Sequence, residues 1–294
     1  WVPVEDPSIM YEENTAGVAL SGSTGVTTTK YSKSGIISGQ SRVTPGTTGS
    51  GSYREPDLVT DRDTDSYAQQ AGFSSLQNMA ETMVNEYNTM IASIEKYGGF
   101  YIGRYETGGL NKEAVVRKMD TNLGSQTWYS MYEKTQKLKG NNENIETLMI
   151  WGSLWDETLQ WLVDSGATTS TGIQLTYEQL DDDSSDWGNY RTSSFYYIPS
   201  GSETPDATEF KDEGRSNSKI IPAGSSEYTK VNNIYDLAGN VYDWTLEAYS
   251  AGDRDLRGGY YNFNGYGGPA TNRNNGNPDS YFYSYYRVSC RTFD

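Results

Sequence analysis

The sequence contains no histidine and one cysteine, Cys290. Without histidine there is no Ser-His-Asp or Cys-His catalysis, no imidazole general base and no His-built zinc or iron site. One cysteine cannot close an intrachain disulfide or form a thiolate metal cluster. No copper, iron or zinc site is therefore expected. No apolar run approaches the 18 residues of a membrane-spanning helix, so membrane insertion is not expected. No Gly-rich phosphate loop with its lysine occurs either. Positive charge is scarce, with 23 Lys and Arg against 39 Asp and Glu, a net charge of −16. Nucleic acid and anionic membrane surfaces are poor partners for that field, which mainly serves solubility. No repeat of 20–50 residues is present, which removes solenoids and propellers. The chain opens on "WVPVED" with neither an initiator Met nor a signal peptide, so a targeting segment is expected to have been trimmed away.

What the sequence does contain is aromatic. Aromatics make up 13% of residues and all hydrophobic types together 35%, so the core should be built on Trp and Tyr with their polar tips satisfied. "WVPV" reads as a short strand. Residues 13–60 are rich in Ser, Thr and Gly and read as an insert, either loop, weak hairpins or disorder. In "SSLQNMAETMVNEYNTMIASIEKYGG", Leu76, Met79, Met83, Tyr87, Met90 and Ile94 recur at helical spacing, with Ser74 or Ser75 as cap and Gly98-Gly99 as stop. "GGFYIGRYETGG" alternates between glycines and reads as a buried strand. "ETLMIWGSLWDETLQWLVDSG" reads as a second helix, with Trp151, Trp155, Leu159 and Leu162 on one face. The run Asp181–Asp183 reads as a solvated loop. Two main helices, short strands and many irregular loops indicate an α+β fold.

The C-terminal segment is compositionally unlike the rest. Tyr260 to Tyr286 holds seven Tyr, two Phe and six Asn, and no Lys, Glu, Gln, Met or Trp. Val, Ile and Leu are also missing, so this segment cannot supply an aliphatic core. Tyr gives large rigid contact area at low entropic cost, and Ser, Gly and Asn give adaptable hydrogen bonds, as in antibody loops. Two other readings stay open: "NFNGYGG" carries an Asn-Gly hairpin signal, and polar-aromatic low complexity favours aggregation.

Just upstream, "NIYDLAGNVYDWTLE" and "RDLRGGYYN" resemble the formylglycine-generating-enzyme-like (sulfatase-modifying-factor) family, a variant of the C-type lectin fold. Its motifs fall on Asn233 to Trp244, on Arg257-Gly258-Gly259-Tyr260-Tyr261, on Arg273, and on Val288-Ser289-Cys290-Arg291. "WVPVED", "YGGFYIGRYETG" and "WDETLQWLVDSG" match members common in phages of gut Firmicutes. The resemblance spans most of the chain outside the insert and implies one C-type-lectin-like domain over 1–294, with a variable ligand-binding region at 256–291. The oxidase members of the family carry a copper-holding cysteine pair after the Arg-Gly-Gly motif. Here Phe263 and other thiol-free residues stand there. Relatives that make sulfoxides hold iron through histidines, and there are none. Both activities are expected to be absent.

Some members of this family are the variable proteins of diversity-generating retroelements, in which template adenines are copied with errors into the C-terminal coding region. An Asn codon altered at its adenines yields Tyr, Ser, Asp, Gly, Thr or Phe, but never Lys, Glu, Gln, Met or Trp. All five of those types are missing from Tyr260–Tyr286. The resemblance thus implies a non-enzymatic ligand-binding protein, an extracellular phage-tail or bacterial cell-surface adhesin that meets a surface protein or glycan of a bacterial host. The expected contacts are Tyr260, Tyr261, Asn262, Phe263, Asn264, Tyr266, Asn272, Asn274, Asn275, Asn277, Asp279, Tyr281, Tyr283 and Tyr285, with Trp244, Arg273 and Arg291 as support. It also implies a calcium loop, with side-chain oxygens of Asp236 and Asp243 and carbonyls of Gly239 and Val241 as hard ligands; that the loop instead caps itself by hydrogen bonds stays open. The alternatives are a carboxylate-dependent hydrolase of surface glycans, marked by two carboxylates in a cleft with one pKa raised, and a purely structural tail component.

Overall fold

The computed structural model describes residues 1–18, 25–32, 55–59, 61–109, 115–120, 126–202, 208–280, 288–290 and 292–293. They form an α+β arrangement of helices and small, mostly antiparallel sheets. In chain order β1 (Val2–Pro3) precedes a hairpin of β2 (Tyr11–Val18) and β3 (Val26–Ser32). Residues 13–18 and 26–32 of the Ser/Thr/Gly-rich insert therefore belong to an antiparallel strand pair, and its residues 19–24, 33–54 and 60 lie outside the described set. Helix α1 (Asp65–Gln70) leads to α2 (Leu76–Tyr97) and β4 (Gly99–Phe100), which pairs with β1. Then come α3 (Trp128–Gln136), β5 (Leu148–Met149), α4 (Gly152–Asp164) and α5 (Tyr177–Asp181). Two ribbons follow, β6 (Phe195–Tyr197) with β7 (Glu209–Lys211) and β8 (Lys230–Val231) with β9 (Ile234–Tyr235). The main sheet closes the chain with β10 (Tyr242–Ala248), β11 (Arg254–Arg257), β12 (Arg273–Gly276) and β13 (Val288–Cys290), in the order β12-β11-β10-β13. Strand β14 (Thr292–Phe293) pairs with β5.

The long helix forms as its periodicity dictates. Ser75 accepts the Asn78 N–H at 3.1 Å, satisfying one orphan donor of the first turn. Gly98 ends the helix at φ +76°, a left-handed cap that a side chain resists. Met79, Met83, Tyr87, Met90 and Ile94 are all buried. Each such side chain contributes about 1.5–3 kcal/mol by leaving water.

Two expectations require correction. Only Gly99–Phe100 of "GGFYIGRYETGG" is strand; Tyr101 is exposed and Glu106 turns inward to Asn240 and Val241. The second helix starts at Gly152, later than its apolar run suggests, because Leu148–Met149 is drawn into pairing with β14. Trp151, at its N-cap, offers no capping side chain. Instead the Glu55 carboxylate accepts from the Gly152 and Ser153 N–H groups, each at 2.8 Å. A cap supplied from 97 residues away leaves no local signal.

The core is aromatic, as composition requires. One apolar cluster runs from Val2 to Ala270 and includes Trp128, Trp151, Trp155, Trp187 and Trp244. Trp128 and Trp155 donate their ring N–H groups to the Thr245 and Ala270 carbonyls, at 2.8 and 3.0 Å. Strand β10 is buried at all seven positions, which places its charged residues in the interior.

Candidate ligand-binding face

The floor of the site is ionic. From α4 comes Asp156; from β10, Glu247; from β11, Asp255 and Arg257; from β12, Arg273. Both guanidinium groups pair with Asp156. Arg273 also meets Glu247 at 3.2 Å and Asp255 at 3.7 Å, and Arg257 meets Asp255 at 3.6 Å. Burial pushes the Asp255 carboxyl well above its usual range, with the charge of Glu247 adding to it. Glu55 is pushed up to about 7 by burial and by Glu247. Burial works against the Arg273 charge, but Asp156, Glu247 and Asp255 together hold it on. Breaking such a buried network by removing one partner costs about 3–5 kcal/mol.

The wall of the site is the segment from Asn233 to Trp244, which links β9 to β10. Asn233, Asp236, Gly239 and Asn240 all take positive φ, +65°, +57°, +74° and +60°, which is why Asn, Asp and Gly fill this motif. Gly239 has a second reason: a Cβ there would collide with the Asn189 backbone. The Asn240 amide ties the loop down by donating to Glu106 at 2.6 Å, while its oxygen accepts from the Ile221 N–H at 3.0 Å. Asp236 accepts from the Gly224 N–H at 2.7 Å and the Thr229 hydroxyl at 2.6 Å, one hydrogen bond on each carboxylate oxygen. The loop thus caps itself through one of the two carboxylates expected to hold calcium. Among the described residues no three His, Cys, Asp or Glu side chains are grouped to hold a metal ion.

On this floor and wall sits the Tyr/Asn/Gly segment. Gly258 and Gly259 turn out of β11 at φ +85° and +74°. The Gly258 carbonyl accepts from the Gly239 N–H at 2.7 Å and the Tyr190 hydroxyl at 2.9 Å. Further along, the loop is pinned by Tyr261 N–H to Asn240, Arg191 N–H to Phe263, and Thr271 N–H to Leu180. Thr271 also donates to Asp181 at 2.7 Å. That overturns the solvated-loop expectation for Asp181, which is buried at the end of α5, whereas Asp182 and Asp183 are exposed.

The expected contact residues divide. Tyr260 is 9% exposed and packs against Tyr242 and Phe263. Asn264 is 6% exposed and caps the Gly267 N–H. These two serve the loop from inside, which corrects their placement on a contact face. Tyr266 is 62% exposed and Asn275 is also exposed. Tyr261, Asn262, Phe263, Asn272, Asn274, Asn277 and Asp279 are half-buried. Asn274 donates to the Tyr242 hydroxyl at 2.9 Å, and Asp279 accepts from Tyr67 at 3.1 Å. Trp244 and Arg273 lie beneath, with Gly276 held against the Trp244 ring. Tyr281, Tyr283, Tyr285 and Arg291 lie outside the described residues.

Two features escaped sequence reading. The ionic floor did, since no local pattern says which of 39 acids meet. So did a cleft of about 510 Å³ at the other end of α4, lined by Glu5, Asp6, Glu157, Trp161 and Asp164. A signal for it existed: Glu157, Trp161 and Asp164 share one helical stripe. Burial and the charges of Asp164 and Asp156 push the Glu157 carboxyl up to about 7.

No family model matches the chain, and no curated protein matches it. Among solved structures it is similar to PvdO from Pseudomonas aeruginosa, at 14% identity and TM-score 0.34 over 66% of this chain and 79% of that one. It is also similar to variable protein 1 of Treponema denticola, at 14% identity and TM-score 0.33 over 63% and 74% of the two chains. Likenesses this slight carry no argument about fold or activity.

Proposed function

We propose that the chain is a non-enzymatic ligand-binding protein of C-type-lectin-like, formylglycine-generating-enzyme type, diversified at residues 256–291 by a retroelement. Its place is extracellular, on a phage tail or bacterial surface, and its target is a surface protein or glycan. The observation that carries this is the composition of Tyr260–Tyr286, rich in Tyr and Asn and free of the five residue types an adenine-altered Asn codon cannot encode. Support comes from the fixed backbone beneath it. A loop pinned by buried hydrogen bonds can exchange Tyr266, Asn275 and their half-buried neighbours at little cost to folding. Sequencing sibling isolates tests it. Variation confined to Asn-derived codons in this segment, beside a template repeat and a reverse transcriptase gene, is expected. Invariance of the segment contradicts it.

A hydrolase of surface glycans draws on one observation, the raised Glu157 carboxyl sharing a cleft with Asp164, as a general acid requires. Its test is the release of reducing ends from bacterial surface glycans, abolished by Glu157→Gln.

A further inference from the structure

The cleft along the C-terminal half of α4 shares no lining residue with the Tyr/Asn segment, and its chemistry is different. Four carboxylates line it, from Glu5, Asp6, Glu157 and Asp164, together with the Trp161 indole and the Gln160 amide. Among the described residues no Lys or Arg lines it. Glu157 is only 5% exposed, and its Oε2 accepts no hydrogen bond among the described residues. The Gln160 Oε1 is likewise buried without a donor. Helix α4 has no basic residue in its last turn, so the negative end of its dipole adds to the same field. A buried carboxylate without a partner is costly, so Glu157 holds a proton until a cation takes its place.

We propose that this cleft binds a small organic polycation, an aliphatic diamine or polyamine, with one ammonium at Glu157 and Trp161 and a second toward Asp164 and Glu5. Three observations select this occupant. A divalent metal needs several oxygens converging on one point, and no such group of three acids exists among the described residues. A neutral sugar leaves four carboxylates repelling one another. A chain of separated ammonium groups matches carboxylates spread around 510 Å³, and the Trp161 ring offers a cation a favourable face.

Calorimetric titration of the full chain with spermidine and with 1,4-diaminobutane tests the site. One saturable site per chain is expected, weakened about tenfold or more by Glu157→Gln and less by Asp164→Asn. Glu143→Gln, at an exposed position that does not line the cleft, should leave binding unchanged and so separates the site from diffuse attraction to a protein of net charge −16. The Gln side chain keeps the shape of Glu157, and unfolding by urea checks that the variant is folded. The proposal is overturned by the absence of saturable binding, by equal weakening in Glu143→Gln, by displacement of spermidine by equimolar Ca²⁺ or Mg²⁺, or by cleavage of a neutral oligosaccharide that depends on Glu157.

Discussion

The ionic floor and the Tyr/Asn loop lie one on the other, yet they are built on opposite terms. In the floor, Asp156, Glu247, Asp255, Arg257 and Arg273 are almost wholly removed from water, so each charge depends on its neighbours and none can be exchanged alone. In the loop, position is fixed by backbone hydrogen bonds, such as those from the Tyr261, Arg191 and Thr271 amides. Side chains there are released from structural duty wherever they reach solvent. A protein that must keep its shape while changing its surface gains from this separation, because shape is then stored in the atoms every residue shares.

The comparison can be broken at several points. The largest effect is expected from Arg257→Ala, which leaves the buried Asp156, Glu247 and Asp255 with Arg273 as the one remaining cation of the floor and should cost about 3–5 kcal/mol in chemical denaturation. Tyr266→Ala in the same assay should stay within about 0.5 kcal/mol of the parent. Next comes Gly152→Ala. Its Cβ would meet the Glu247 carboxylate, and overpacking of that kind costs about 1–3 kcal/mol.

Stability against pH sharpens the contrast further. Glu55 and Glu157 are pushed up to about 7 in the folded protein. Between their unfolded and folded pKa values the folded chain binds more protons, so stability falls as pH rises from about 4.5 to 7. The midpoint of thermal unfolding should be higher at pH 5 than at pH 8. Lys211, lowered to about 8 by burial, acts in the other direction only above that pH. A higher midpoint at pH 8 than at pH 5 would show that these interior carboxyls are charged without penalty. The smallest effect concerns the Asp236 loop. That carboxylate already accepts from the Gly224 N–H and the Thr229 hydroxyl, so millimolar Ca²⁺ should move the unfolding midpoint by less than about 1 °C, and a larger rise would show that the loop holds the ion.

Much of the fold was legible where sequence and structure obey the same local rule. The Met79–Ile94 stripe, its Ser75 cap and its Gly98 stop were all readable, since helical spacing and capping act within a few residues. The start of α4 was not, because Glu55 caps it from a distant part of the chain. The short helices α1, α3 and α5 are too brief to show a periodic stripe, although Thr64, Thr127 and Thr176 each cap one. For the candidate face, composition pointed to the segment but could not sort its members. Tyr260 and Asn264 look like Tyr261 and Asn262 in sequence, and only tertiary packing turns the first two inward. The cleft at Glu157 had its stripe in plain view, overshadowed by the apolar face of the same helix.

The most direct measurement is a displayed library in which single positions are varied with an adenine-altered Asn codon and scored for protease resistance. If the account is right, Tyr261, Asn262, Tyr266 and Asn275 retain folded molecules with nearly every residue that codon encodes, whereas Tyr260, Asn264 and Arg273 do not. Equal intolerance across both sets would contradict it, because the loop would then be part of the frame rather than a surface carried by it.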